Sequence, residues 1–261
     1  MDLTALPGYV PGFHTTLALR DLGGQRASDG RTVRHGLIYR GSSLVDLTPQ
    51  ETARLEDLGL SLVLDLRAAG EAEGLDDYVP HGANYLRIAG MYDANGDEVD
   101  FSPAGITRIA ALIEEQQERF MTDLYVGMAH DNPAVHALVE HMAQGGGPIY
   151  FHCSAGKDRT GVCAAMALTL LGVDDDAIVQ EFLLTNEYRA EIINNMPADL
   201  PEHARGYTKE QWAEVNSVQE YNLRAVFDEI DADHPTREAY FAKEFGLDAN
   251  AVARIRDRYL A

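Results

Sequence analysis

Residues 149–162 join three patterns: a strand, a tight loop and a helix. The segment reads Ile149-Tyr150-Phe151-His152-Cys153-Ser154-Ala155-Gly156-Lys157-Asp158-Arg159-Thr160-Gly161-Val162. The apolar run before Cys153 is typical of a buried strand, and the apolar run that begins at Thr160 is long enough for a helix. Small residues between the two runs allow successive backbone N–H groups to turn towards one point, where the helix dipole adds its positive end. The segment therefore predicts an anion-binding loop.

The same loop carries a nucleophile and a cation. Arg159 can offer two parallel N–H bonds to phosphate oxygens, which a lysine cannot do. A thiol beside a helix N-terminus and a guanidinium ionises below its ordinary pKa, so Cys153 is predicted to be a thiolate nucleophile. Thr160 can donate its hydroxyl to that thiolate as it leaves. These groups predict phosphoryl transfer through a phosphocysteine without a metal or other cofactor. The predicted phosphate-binding residues are Ser154, Ala155, Gly156, Lys157, Asp158, Arg159 and Thr160.

Spacing excludes two other sites. A nucleotide-binding P-loop needs Gly-x4-Gly-Lys-Ser/Thr, and here Phe151 and Asp158 occupy the first-glycine and hydroxyl positions. A zinc site is not expected, because the second cysteine, Cys163, lies in the predicted helix without a Cys-x2-Cys or His-x3-His companion. Cys163 is interpreted as a small buried hydrophobe, with a role as partner of an oxidised Cys153 as the alternative.

The string Cys153-x5-Arg159-Thr160-Gly161 resembles the signature of the cysteine-dependent protein tyrosine phosphatase superfamily. The longer string that begins at His152 is similar to a narrower bacterial and fungal group of tyrosine and lipid phosphatases. Further segments resemble that group in the same order: Arg20–Gly24, Tyr39–Leu44, Val63–Arg67 and Phe182–Asn186. The resemblance implies one α/β phosphatase domain over residues 1–261, with a mainly parallel central sheet flanked by helices and a helical C-terminal half. It also implies a phosphorylated protein or a phosphoinositide as substrate.

The general acid is not assigned by this resemblance. Many tyrosine phosphatases supply it from a Trp-Pro-Asp loop, but the one tryptophan here stands in Trp212-Ala213-Glu214. Asp158, which the narrower group shares, is the first candidate, and Asp65, at the end of an apolar strand, is the second. The acidic loop of residues 93–100 is the third. Alternatively, Asp158 pairs with a nearby cation and Asp65 holds Arg67 or caps a loop.

Two further loop residues have open roles. Lys157 is either a second phosphate ligand, suited to polyphosphorylated head groups, or a solvated charge. His152 is interpreted as a neutral hydrogen-bonding support of the loop rather than an acid or base.

The remaining sequence predicts the elements around this loop. Thr48-Pro49-Gln50-Glu51 has the pattern of a capping box with proline at the first helical position. Strands are predicted at 37–40, 60–66 and 83–88, the second as a buried parallel strand. Helices are predicted at about 104–129, 133–142 and 160–171, and the chain beyond Gly172 reads as helical. In the resembling family, helices of this last region fold over the active site, so residues 190–215 are predicted to form a lid.

Charge and composition limit the partners. The 261 residues contain 42 acidic and 21 basic side chains, which give a net charge of −21, so nucleic acid and anionic membranes are not expected partners. No apolar run approaches the roughly 20 residues of a membrane span. Two cysteines and an N-terminus without the basic and apolar regions of a signal peptide favour the cytoplasm. Export without a readable signal, as in some relatives of the group, is the alternative.

Two rival functions share the anion loop. A phosphate-binding module without turnover would not need Cys153, and a rhodanese-type sulfur transferase would not have the Cys-x5-Arg-Thr-Gly string. The sequence leaves open the choice among phosphotyrosine, phosphoserine or phosphothreonine, and phosphoinositide, and it leaves open the oligomeric state.

Overall fold

A sheet of five strands forms the centre of the molecule. The computed structural model describes residues 3–116, 119–200 and 204–261, and of residues 110–116 it describes the backbone alone. The strands are β1 (Arg20–Asp21), β2 (Ile38–Gly41), β3 (Leu62–Asp65), β4 (Asn84–Arg87) and β5 (Ile149–His152). Their order in the sheet is β1-β2-β5-β3-β4, and β1 pairs antiparallel with β2 while all other pairs are parallel.

The central strand is β5, which lies between β2 and β3. Its last residue, His152, is in register with Gly41 on one side and with Asp65 on the other. The carboxyl ends of three parallel strands therefore meet at one edge, which is where ligands bind in open α/β sheets. Cys153 follows directly at the centre of this edge.

Alternation along the strands gives the sheet two apolar faces. Ile149 and Phe151 belong to a large core that extends from Leu22 to Leu260, whereas Tyr150 belongs to a smaller core with Leu55 of the first helix. All four residues of β5 are buried, as expected for a strand covered on both sides.

Helices cover both faces. The helices of the described residues are α1 (Pro49–Glu56), α2 (Ala69–Ala72), α3 (Pro103–Gln116), α4 (Phe120–Gly127), α5 (Pro133–Ala143), α6 (Asp158–Leu170), α7 (Asp175–Tyr188), α8 (Ala190–Asn194), α9 (Lys209–Asn216), α10 (Glu220–Asp233), α11 (Arg237–Phe245) and α12 (Ala249–Tyr259). Helix α6 is buried along almost its whole length. It can approach α7 closely because Gly161 has no side chain: a Cβ there would lie 2.5 Å from the Phe182 ring.

Most predicted elements agree with the structure. The mainly parallel sheet with flanking helices is confirmed, and α1 begins with the predicted capping box, in which Thr48 and Glu51 bond each other's backbone N–H groups. The predicted helix at 104–129 is instead two helices, α3 and α4. No helix of the described residues is long and apolar enough to cross a membrane.

Candidate active site

Side chains from other elements donate hydrogen bonds to the carbonyl groups of the loop after β5. The guanidinium of Arg189 donates to the Ala155 carbonyl at 3.0 Å, and that of Arg40 donates to the Gly156 carbonyl at 3.1 Å. The Cys153 carbonyl lies 3.1 Å from Nδ1 of His152. Because a peptide unit is planar, fixing carbonyl groups outward turns the intervening N–H groups inward.

Gly156 completes this turn. Its φ is +65°, a left-handed conformation, and a Cβ there would lie 2.4 Å from the Gly41 backbone. Glycine is the residue that meets both demands. The loop thus packs directly against the end of β2, and within the described part of the chain no backbone N–H of residues 154–157 donates to a protein acceptor. Backbone donors that are left free in this way suit the predicted anion cradle, which stays a prediction.

Arg159 is held by a carboxylate that the sequence analysis did not identify. Nη2 of Arg159 lies 2.8 Å from Oε1 of Glu71, and Nη1 bonds the other carboxylate oxygen. Glu71 also accepts hydrogen bonds from the Ser154 hydroxyl at 2.7 Å and from the Ala68 backbone at 3.0 Å. Both charged side chains are buried. This bidentate pair fixes the guanidinium plane beside the loop.

The Cys153 thiol is buried, with 2% exposure. Burial alone would raise the pKa of Cys153, but the Arg159 guanidinium and the Thr160 hydroxyl outweigh it, so the pKa lies below its ordinary value. The Thr160 hydroxyl is buried without another hydrogen-bond partner among the described residues, which suits a donor to the sulfur. By contrast, burial and the nearby Cys153 raise the pKa of Cys163 to about 12. The two thiols are therefore electrostatically distinct.

Asp158 lies at the front of the loop, at the first position of α6. Its Oδ1 accepts a hydrogen bond from the Tyr125 hydroxyl at 2.6 Å, and its Oδ2 lies 2.7 Å from the Lys157 ammonium. Burial would raise the pKa of Asp158, but Lys157 and Tyr125 outweigh it and hold the pKa below its ordinary value. The Lys157 ammonium also donates to the Ser217 carbonyl at 3.3 Å.

Asp65 lies behind the loop and is occupied by Arg67. The Arg67 guanidinium bonds both Asp65 carboxylate oxygens at 2.8–3.0 Å, and the Tyr85 hydroxyl adds a bond of 2.7 Å. Burial would raise the pKa of Asp65, but the hydrogen bonds and the charge of Arg67 hold it below its ordinary value. Nδ1 of His152 is 3.8 Å from Asp65. Asp65 and His152 thus belong to a buried layer under the loop.

The third candidate acid is the loop of residues 93–100. Asp93 accepts backbone hydrogen bonds from Asn95 and Asp97 at 2.8 and 3.0 Å, which closes a local turn. Asp100 pairs with Arg108 at 2.8 Å. Just beyond this loop, the Phe101 ring lies 5.1 Å from the Arg159 guanidinium carbon, so it covers the arginine with an apolar face.

The region predicted as a lid contains α8 and α9, and its residues 201–203 lie outside the described part of the chain. The Trp212 indole N–H donates to the Ile192 carbonyl at 2.8 Å and joins the two helices. Arg189 bonds both Ala155 in the loop and the Asn216 carbonyl at the end of α9, at 3.0 and 3.3 Å. These bonds anchor the helical pair beside the loop.

A buried thiol of lowered pKa beside a guanidinium that Glu71 fixes, at the carboxyl edge of a mainly parallel sheet, is the arrangement expected of a cysteine-dependent phosphatase. The chain belongs to the tyrosine phosphatase family, whose model matches residues 12–261.

Three relatives agree with this assignment. A protein of Cupriavidus necator, provisionally named a tyrosine-protein phosphatase, is 30% identical over 249 residues, which cover 95% of this chain and 88% of the relative. The triple specificity protein phosphatase PtpB of Mycobacterium tuberculosis is 27% identical over 280 residues, which cover 92% of this chain and 98% of PtpB. A tyrosine-protein phosphatase of Nostoc commune is 29% identical over 178 residues, covering 64% of this chain and 53% of the relative.

Sequence reasoning missed four residues that support the site: Glu71, Arg40, Tyr125 and Arg189. Each reaches the loop from a distant part of the chain. For Glu71 one local feature could have been used: it is an acidic residue in the first turn of α2, and its side chain accepts the Ala68 backbone N–H there. Nothing in the sequence pattern indicated the partner of that carboxylate.

Proposed function

We propose that this chain hydrolyses phosphomonoesters through a phosphocysteine on Cys153, with Asp158 as general acid. Cys153 attacks phosphorus in line while the loop amides and Arg159 bind the equatorial oxygens. Asp158 protonates the leaving oxygen, and water then hydrolyses the phosphocysteine. The observation that carries the proposal is the lowered pKa of Cys153 beside a guanidinium that Glu71 fixes in place. Preorganised charge of this kind is the main source of acceleration in phosphoryl transfer.

The lowered pKa of Asp158 fits this role when substrate is considered. Without substrate, Lys157 neutralises the carboxylate. A phosphate dianion in the cradle adds negative charge near Asp158 and competes for the Lys157 ammonium. Both changes raise the pKa of Asp158, so the acid gains its proton in the complex where it is needed. We therefore propose that the Lys157 ammonium pairs with Asp158 in the free protein and with the phosphate when substrate is bound.

Asp65 is proposed as a positioning residue. Arg67 and Tyr85 donate hydrogen bonds to its carboxylate oxygens. These bonds favour the ionised form of Asp65, which has no proton to give to a leaving group. The buried pair supports the floor of the loop through His152.

The test is turnover of p-nitrophenyl phosphate in EDTA by the wild type and Cys153→Ser, with vanadate added to the wild type. Metal-independent turnover that vanadate inhibits and Cys153→Ser abolishes is the expected result. A wild type that binds vanadate without turnover would instead support the rival phosphate-binding module. Transfer of sulfur from thiosulfate to cyanide would support the rhodanese alternative.

We propose phosphorylated proteins as the principal substrates, with phosphotyrosine first. The net charge of −21 disfavours approach to an anionic membrane. The relative named as a triple specificity phosphatase makes phosphoserine, phosphothreonine and phosphoinositides the classes to compare. Rates should be measured on a phosphotyrosyl peptide, its phosphoseryl counterpart, a soluble inositol phosphate and phosphoinositide vesicles. Highest kcat/KM on the phosphotyrosyl peptide is expected, and faster turnover of vesicles would contradict the proposal.

Residues 190–215 are proposed to open for substrate entry. Cys153 and Arg159 are 2% and 5% exposed, and Arg189 links α8 and α9 to the loop that carries them, so movement of this helical pair would widen access to the site. Arg189 bonds both the Ala155 carbonyl of the loop and the Asn216 carbonyl at the end of α9, so one of these bonds would break when the pair moves away from the loop. Limited proteolysis in residues 190–215 that vanadate suppresses is expected, and equal protection with and without vanadate would contradict it.

A further inference from the structure

A second cluster of chemically competent side chains lies outside the loop. His130 follows α4, His234 caps the C-terminus of α10, and Glu244 lies in α11. One potential ligand atom from each of these side chains lies within 4.8 Å of the others. The three elements are distant in sequence, so no motif spacing indicated the cluster.

Both imidazoles have a nitrogen without a partner. Nε2 of His130 and Nε2 of His234 are buried and make no hydrogen bond among the residues that the structure describes. The His234 residue is 5% exposed, and the two rings stack at 6.5 Å with 21° between their planes. An unsatisfied buried polar group costs about 1–3 kcal/mol, so each of these nitrogens gains free energy if a ligand binds it or if its ring turns to present it to one.

The carboxylate is already oriented. Oε2 of Glu244 accepts the Asp131 backbone N–H at 3.1 Å, which leaves Oε1 directed towards His130 at 3.8 Å from its Nδ1. The Asp131 backbone is left-handed, with φ of +45°, a conformation that few non-glycine residues adopt. The Tyr240 hydroxyl fixes the same turn by donating to the Ala129 carbonyl at 2.6 Å. Support of this kind is typical of residues around metal ligands.

We propose that His130, His234 and Glu244 bind one Zn²⁺ ion, with water as the remaining ligand. Two imidazoles and one carboxylate form a donor set suited to zinc, whereas Mg²⁺ and Ca²⁺ prefer oxygen ligands. Glu229 and Asp233 form an overlapping group with His130, and their negative charge favours a cation at this place. Tetrahedral ligand atoms around zinc lie about 3.3 Å apart, so small side-chain rotations from the present arrangement close the site.

The zinc site is structural. It joins the turn between α4 and α5 to α10 and α11. Asn132, in the same turn, donates to the Gly90 carbonyl at 3.0 Å, and Gly90 packs against the Arg159 side chain. Zinc therefore stiffens the frame behind the arginine, whereas the phosphate chemistry belongs to the separate Cys153 loop.

The test is calorimetric titration of ZnCl₂ into the chelator-treated full chain, in a Cys153→Ser background because a thiolate also binds zinc. One ion per chain is expected, with a rise in Tm. Glu244→Gln and His130→Asn should each weaken binding by more than the roughly 10–100-fold that changes around metal ligands cause. His136→Gln is the matched control, because His136 packs on Phe245 nearby and is not part of the cluster.

Far-ultraviolet circular dichroism verifies that each variant is folded. Tight binding that Glu244→Gln and His130→Asn lose and His136→Gln keeps would establish the site. Failure of the Cys153→Ser chain to bind zinc would overturn the proposal, as would unchanged affinity in a folded Glu244→Gln variant. Neither outcome bears on turnover at Cys153, because the readout is metal binding.

Discussion

Two aspartates flank the Cys153 loop, Asp65 buried and Asp158 partly buried, and their partners differ. Asp65, behind the loop, is bound by a guanidinium at both oxygens and by a phenol. Asp158, in front, is bound by a primary ammonium and a phenol. Both pKa values lie below the ordinary value of an aspartate. A lowered pKa thus identifies neither residue as the acid.

The difference lies in whether the partner can leave. Arg67 holds Asp65 in a fixed fork within a buried layer and also pairs with Asp77, so moving it would separate three buried charges. Lys157 is a flexible point charge at the side of the phosphate cradle, and an anion there is an alternative partner. The comparison indicates that an acid needs an exchangeable counter-ion, whereas a support needs a fixed one.

The largest expected effect that separates the aspartates is on alkyl phosphates. In Asp158→Asn their turnover should fall by about 10²–10⁴-fold because a poor leaving group needs a proton. Turnover of p-nitrophenyl phosphate, whose leaving group is stable as an anion, should fall far less, and the basic limb of its pH profile should disappear. The measurement is kcat/KM on both substrates across pH. Equal losses on both substrates would assign Asp158 a structural role.

Glu71→Gln should lower kcat/KM on both substrates alike, by about 10²-fold, because Arg159 loses its bidentate partner and the positioned guanidinium shifts. Glu73→Gln is the matched control, since Glu73 is exposed and lies at the end of the same short helix. Steady-state kinetics on aryl and alkyl phosphates is the measurement. Activity of Glu71→Gln equal to that of Glu73→Gln would contradict the role of the pair.

Asp65→Asn should act on stability and leave the preference between aryl and alkyl phosphates unchanged. Removing one partner of a buried ion pair costs up to roughly 3–5 kcal/mol, and less is expected here because Arg67 keeps its second partner, Asp77; urea unfolding is the measurement. Because the folded pKa of Asp65 is depressed, its stabilisation is present above the unfolded value near 3.8 and is lost as pH falls through the folded value. The difference from wild type should therefore shrink in acid. A selective loss on alkyl phosphates would make Asp65 the acid.

The smallest effect is expected for Tyr125→Phe. Its hydroxyl helps to hold the pKa of Asp158 down, so its removal should move the basic limb to higher pH. A hydrogen bond worth about 1 kcal/mol corresponds to roughly 0.7 pH units. The measurement is the pH profile for an alkyl phosphate, with Tyr85→Phe at Asp65 as the matched control. A shift in Tyr85→Phe and none in Tyr125→Phe would reverse the roles of the aspartates.

The sequence was sufficient for the features that depend on neighbouring residues. Cys153 and Arg159 are linked by a fixed spacing, and the run before Cys153 could be recognised as a buried strand from its own residues. The contacts of Glu71 with Arg159 and of Arg40 with Gly156 could not be predicted, because they depend on the order of β2, β5 and β3 in the sheet. For the same reason the contact between His130, which follows α4, and His234, at the end of α10, could not be predicted from the sequence.

Trapping the intermediate tests the central proposal most directly. Wild type mixed with excess p-nitrophenyl phosphate and quenched in acid should carry one phosphoryl group, which peptide mass spectrometry locates on Cys153. Cys153→Ser should carry none under the same conditions. Phosphate on another residue, or turnover of the wild type with an unmodified Cys153 at every quench time, would contradict a phosphocysteine mechanism.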